Sequence, residues 1–94
     1  MNITTDVAPS FTAGQTQCSN AKGTQLTTGK ATRGIHIKAA PTNTGTIYVG
    51  GPDVTTATGF PLQAGQEVTI PVQDITGVYG IASVNNEVLA WLWA

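Results

Sequence analysis

Reactive and coordinating side chains are scarce in this sequence. A single cysteine, Cys18, excludes an internal disulfide framework, and a single histidine, His36, excludes the usual zinc ligand set. Only 10% of the residues are charged, with a formal net charge of −1, so no basic patch can neutralise several phosphates. Nucleic-acid binding therefore lacks electrostatic support, and so does attachment to an anionic membrane surface. No run approaches the ~20 apolar residues of a membrane-spanning helix. The N-terminal residues lack the basic start, apolar run and small-residue cleavage site of a secretory signal. The expectation is a chain made in soluble form in the cytoplasm.

Catalytic combinations are equally sparse. The acids Asp6, Asp53, Glu67, Asp74 and Glu87 are scattered, and none has the spacing of a calcium loop. Asp53 lies in a Gly50-Gly51-Pro52-Asp53 turn, where an aspartate most often bonds its own backbone. Ser10, Ser19 and Ser83 have no nucleophile-elbow context. His36 reads as a solvated surface histidine and Cys18 as a small packing residue. No enzyme activity, cofactor or metal is expected.

What the chain does contain is strand signal. Ile35, Ile37 and Ala39 fall on one face of a run whose other face carries His36 and Lys38. Pro41 ends that run, and Asn43 and Gly45 supply turn chemistry before Thr46–Gly50, where Ile47 and Val49 oppose Tyr48. The pattern predicts a hairpin. Glu67–Val72 alternates again, and Asn85-Asn86 predicts a second hairpin turn between Val78–Val84 and Glu87–Trp93. Strands recurring every ~8–12 residues with turns between them indicate an all-β protein, a small antiparallel sandwich or barrel. No segment reads as a long helix.

With 94 residues the chain forms one small domain, burying roughly 60–65% of its unfolded surface. Small scaffolds often add oligomerisation, a metal or disulfides; here oligomerisation is the support left open. Low charge with abundant Thr, Gln, Asn and Ser also suits dense packing beside copies of itself. The sandwich is placed at residues 24–94, preceded by an extended N-terminal arm over 1–23. In that stretch neither a period of 2 nor of 3.6 holds for long, and Pro9, Gly14 and Gly23 interrupt it. It reads as an arm or as a loosely built first strand. As an arm, it docks on a neighbouring subunit or on a larger partner through Ile3, Val7 and Phe11.

The last strand is apolar on both faces: Val88, Ala90 and Leu92 on one, Leu89, Trp91 and Trp93 on the other. Such a strand is covered on both sides or gives one face to a partner. Leu89, Trp91 and Trp93 are the expected interface face, joined by Tyr48 and Tyr79 from the non-core side of their strands. The same tryptophans could instead stack on a sugar ring.

These pieces together resemble a group of small phage virion proteins. The resemblance is carried by Ile37–Gly45 (IKAAPTNTG), Ile47–Gly50 (IYVG), Gly59–Leu62 (GFPL), Gly65–Val72 (GQEVTIPV), Val78-Tyr79 and Trp91-Leu92-Trp93. It spans about Thr24 to the C-terminus; the stretch before Thr24 matches no such pattern. Members have jelly-roll or related β-sandwich form and are described as capsid decoration, cement or head-surface proteins. The resemblance implies a non-enzymatic structural protein on the capsid surface of the virion. Its partners would be itself, as a homotrimer, and the major capsid protein that it bridges, with no nucleic acid and no membrane. The alternative is a glycan- or receptor-binding β module on a tail fibre or head surface.

Overall fold

The structure, a computed structural model, describes residues 11–94. Eight strands run in chain order: β1 Thr12–Cys18, β2 Thr24–Gln25, β3 Ile35–Ala39, β4 Ile47–Gly50, β5 Phe60–Leu62, β6 Glu67–Ile70, β7 Tyr79–Ala82 and β8 Glu87–Trp93. They form two antiparallel four-stranded sheets packed face to face, a small all-β sandwich. The first has the order β1-β8-β3-β6 and the second β2-β7-β4-β5. The only helical element among the described residues is a 3₁₀ turn, Ile75–Gly77, capped by the Asp74 carboxylate accepting from the Thr76 N–H.

The pairing is nested. Strand β4 pairs with β5, β3 with β6, β2 with β7 and β1 with β8, while β3–β8 and β4–β7 contacts join these ribbons into sheets. Among the described strands only β4 and β5 form a hairpin. Both hairpins expected from the sequence are therefore corrected. The runs at 35–40 and 46–50 lie in opposite sheets, and so do β7 and β8 on either side of Asn85-Asn86. A hairpin would put Ile35, Ile37, Ile47 and Val49 on one face of one sheet. Crossing between sheets lets them face each other across the core, where Ile35, Ile37 and Ile47 are fully buried.

The corner between β3 and β4 is held by side chains rather than by a ladder. The Asn43 amide donates to the Val88 carbonyl (2.9 Å) and accepts from the Val88 N–H (3.0 Å), so it acts as one rung of a strand at the start of β8. Beside it the buried Glu87 carboxylate accepts from the Gly45 N–H (2.7 Å) and from the Thr44 N–H and hydroxyl (2.9 Å each). Three donors satisfy a charge that would otherwise be costly to bury. Burial pushes the Glu87 carboxyl up, but these bonds outweigh it and hold it below its ordinary value.

The core combines Ile35, Ile37, Ala39 and Leu89 of the first sheet with Ile47, Val49, Leu62 and Ala82 of the second. Leu26, Ala31, Ile75 and Val78 close one end from the connections. Cys18 is fully buried, and burial pushes its thiol up to about 11, which leaves it protonated and unreactive.

The expected arm over 1–23 does not hold from Thr12 onward. All seven residues of β1 pair with the seven of β8, from Thr12 opposite Trp93 to Cys18 opposite Glu87. The strand escapes notice in the sequence because its inward positions are Thr12, Gly14, Thr16 and Cys18 rather than large aliphatics. Tertiary neighbours supply the missing bulk. The Trp91 ring occupies the space over Gly14, where a Cβ would lie 2.6 Å from it. Phe11 precedes β1 and is exposed, while Ile3 and Val7 fall outside the described residues.

A candidate interaction surface

The two outer faces of the sandwich differ. Over the second sheet, the segment after the Gly50-Gly51-Pro52-Asp53 turn folds back and buries Val54, onto which Gly23, Gly50 and Gly59 converge. A Cβ on Gly50 or Gly59 would come within 2.8 Å of Val54, so three glycines make room for this lid-like packing. Tyr48 and Tyr79, expected at an interface, are on this outer side and half-buried, with Gly59 against Tyr48 and Gly23 beside Tyr79. Ile81, between them on the same side, is buried.

The first sheet carries no such cover among the described residues. Its outward positions are set by register. One row across four strands runs Ala13, Leu92, His36, Thr69; the next runs Gln15, Ala90, Lys38, Glu67. Val88 and Gln17 continue the β1–β8 half. The outward side chains of that half are uncharged, with Leu92 44% exposed and Lys38 of β3 the nearest cation, opposite Ala90. Charge is confined to the β3–β6 half, where His36 Nε2 lies 2.5 Å from Glu67 Oε1 and Nδ1 lies 2.7 Å from Thr69 Oγ1. His36 is thus pinned across two strands rather than freely solvated. The small side chain of Ala90 leaves a shallow depression of about 480 Å³ between Gln15, Lys38 and Leu92.

The residues singled out on β8 are on the other side. Leu89 is fully buried and faces inward against Gly80 of β7, so it does not reach a partner. Trp91 and Trp93 share that inward face and pack against the core. The Trp91 indole N–H donates to the Thr16 hydroxyl (3.0 Å), which in turn donates to the Leu26 carbonyl (2.7 Å). This chain of bonds ties β1 to the segment after β2 and closes that flank of the sandwich. Trp93 lies over Gly29, where a Cβ would be 2.8 Å from the ring. Neither indole is presented to solvent as a stacking platform. Both faces of β8 are apolar, and the alternation alone does not say which one is inside. The outward set, Val88, Ala90 and Leu92, is the one available to a partner.

The opposite flank is open among the described residues. Between the free edges of β6 and β5 lies an apolar slot of about 440 Å³, lined by Val68 and Ile70 from β6, Val49 and Phe60 from the second sheet, and Pro71 and Val72 beyond β6. Phe60 is 56% exposed there. Sequence alternation placed Val68 and Ile70 inward but could not show that no other described segment closes over them.

Among the described residues no three His, Cys, Asp or Glu side chains come together to hold a metal ion. Two exposed acids are occupied locally: Asp74 accepts from the Thr76 N–H and faces Lys30 at 3.5 Å, and Glu67 bonds His36. Bonds from Thr76, aided by Lys30, hold the Asp74 carboxyl below its ordinary value. No protein-family model matches this chain, and comparison with curated proteins and with solved structures returns no match.

Proposed function

We propose that this protein is a non-enzymatic structural protein of a phage virion, which decorates and stabilises the capsid as an oligomer, a trimer in the simplest arrangement, bridging major capsid subunits. The observation that carries the reading is the bare outer face of the first sheet. It is a sparsely charged surface with an apolar row on β1 and β8, on a fold whose single histidine and whose buried carboxylate, Glu87, are held by local bonds. The eight strands in the orders β1-β8-β3-β6 and β2-β7-β4-β5 support the jelly-roll form, an architecture frequent in viral capsid and lectin domains.

Area sets how such a protein must work. Four strands at ~4.8 Å spacing and about five residues at ~3.4 Å give roughly 300 Å² of projected face. A standard interface needs about 800 Å² per partner. One face alone binds weakly, so attachment draws on several contacts per oligomer and on avidity over the shell.

The test is cosedimentation of the purified protein with expanded phage heads, beside the Ala90→Arg variant. The substitution adds a charge to the outer face and leaves the core untouched. Binding by the parent and its loss in the variant, at unchanged thermal stability, is the expected result. Equal sedimentation of the two proteins refutes the assignment of the face, and failure of the parent to bind heads refutes the function.

A further inference from the structure

The outer face falls short of a stable interface, and the open β5–β6 flank is the other adhesive feature of the molecule. Two properties distinguish it. Among the described residues no strand pairs with the outer edge of β6, whereas β5 carries Pro61, which blunts pairing. An apolar slot lies directly beside that edge. The β1–β2 flank has no equivalent, because Thr16 and Leu26 close it. An edge with free N–H and C=O groups beside pockets for alternate side chains is what an added strand requires.

The chain itself contains a segment of that pattern. Up to Phe11 the odd positions are Met1, Ile3, Thr5, Val7, Pro9 and Phe11, and the even ones Asn2, Thr4, Asp6, Ala8 and Ser10. One side of an extended strand is then apolar or β-branched and the other mostly polar, with Asp6 the only charged side chain. We infer that the slot takes residues 1–10 of a second copy, added as a strand beside β6 with Ile3 and Val7 in the slot.

Geometry decides between a chain's own segment and a neighbour's. Thr12 lies in the same cross-strand row as Trp93, Ile35 and Ile70, so a strand added beyond β6 lies four strand spacings, about 19 Å, from the start of β1. A chain reaching its own slot spends about six residues on that crossing, at ~3.3 Å each. Val7 and Phe11 are then consumed by the crossing, and only Ile3 of the aliphatics arrives. A neighbour's segment delivers both Ile3 and Val7. The contact is head-to-tail, one copy's N-terminal segment to the next copy's β6 edge, and repeated by rotation it closes a ring.

The inference rests on the oligomeric half of the proposed function. Light scattering is measured on the full chain and on a variant lacking residues 2–10, with near-ultraviolet dichroism of the tryptophans as a check of folding. The full chain has the mass of a closed oligomer and the deletion variant that of a monomer. Independently, Val7→Cys protein is mixed with Phe60→Cys protein and oxidised; buried Cys18 does not compete. Peptide mapping is expected to find the 7–60 disulfide between the two different chains. A deletion variant with the oligomeric mass overturns the inference, as does a mixture without the 7–60 disulfide when a third protein, carrying both Val7→Cys and Phe60→Cys, forms it within one chain. Either result leaves the capsid reading standing if heads are still bound. Conversely, an exchanged oligomer that ignores heads refutes the capsid reading alone.

Discussion

Replacing Leu89 with alanine asks which face of β8 is inside. Leu89 is fully buried, and its Cδ1 reaches toward Gly80 across the core, where a Cβ added at Gly80 would lie 3.0 Å from it and 3.1 Å from Cys18 Sγ. Truncation at such a site costs about 2.7–5.0 kcal/mol, more where the surroundings cannot collapse. Gly80 has no side chain to move into the gap and is fixed in the β4–β7 and β2–β7 ladders, so the upper half of that range applies. For a domain of this size each kcal/mol lowers Tm by about 4–8 °C, and the expected loss is about 15–40 °C. Gly80→Ala alone overpacks the same spot and costs about 1–3 kcal/mol. The two changes together are less damaging than their sum, because the new methyl enters the space Leu89 vacates. Urea denaturation followed by tryptophan fluorescence measures all three, with Leu92→Ser on the outer face as a control expected within about 0.5 kcal/mol of the parent. A Leu89→Ala protein as stable as the Leu92→Ser control would refute the inward assignment of the Leu89, Trp91, Trp93 face.

Two further predictions follow from the corners. The folded pKa of Glu87 is lowered from 4.5, so its contribution to stability is full above that pH and is lost as pH falls through the lowered value. Glu87→Gln is therefore less stable than the parent at pH 7, and the gap narrows on acidification; a gap independent of pH would show that the ionised carboxylate is not what holds the corner. Gly34 and Gly65 both have positive φ, +90° and +84°, but a Cβ at Gly34 would strike the Ile70 carbonyl and lie 2.9 Å from Pro71 Cα, whereas Gly65 has open space. Gly34→Ala is expected to cost well over the ~1–2 kcal/mol of strain expected at Gly65→Ala. Equal midpoints in urea would mean that the β3–β6 edge yields freely.

Local alternation was legible wherever a strand has one aliphatic face. Ile35, Ile37 and Ala39, Ile47 and Val49, and Val68 and Ile70 point inward as the period of two requires. It failed at β1, whose inward face is Thr, Gly, Thr and Cys, because there the filling volume comes from Trp91, 77 positions beyond Gly14. The β8 faces were ambiguous for the opposite reason, since both are apolar. The candidate surface was visible only in part: Val88, Ala90 and Leu92 were recognisable as an apolar set, but their exposure depends on the second sheet lying on the other side.

The amino-acid sequence by itself determined that this is a small all-β chain with little reactive chemistry, because composition and a two-residue period are local properties of the polymer. Tertiary structure alone decided strand partnership. A turn such as Pro41–Gly45 or Asn85-Asn86 permits either a hairpin or a crossing between sheets, and burial on both sides of the core selects the crossing. That choice turned Leu89, Trp91 and Trp93 inward, left the Ala13, Ala90 and Leu92 face bare, and opened one flank of the sandwich while closing the other.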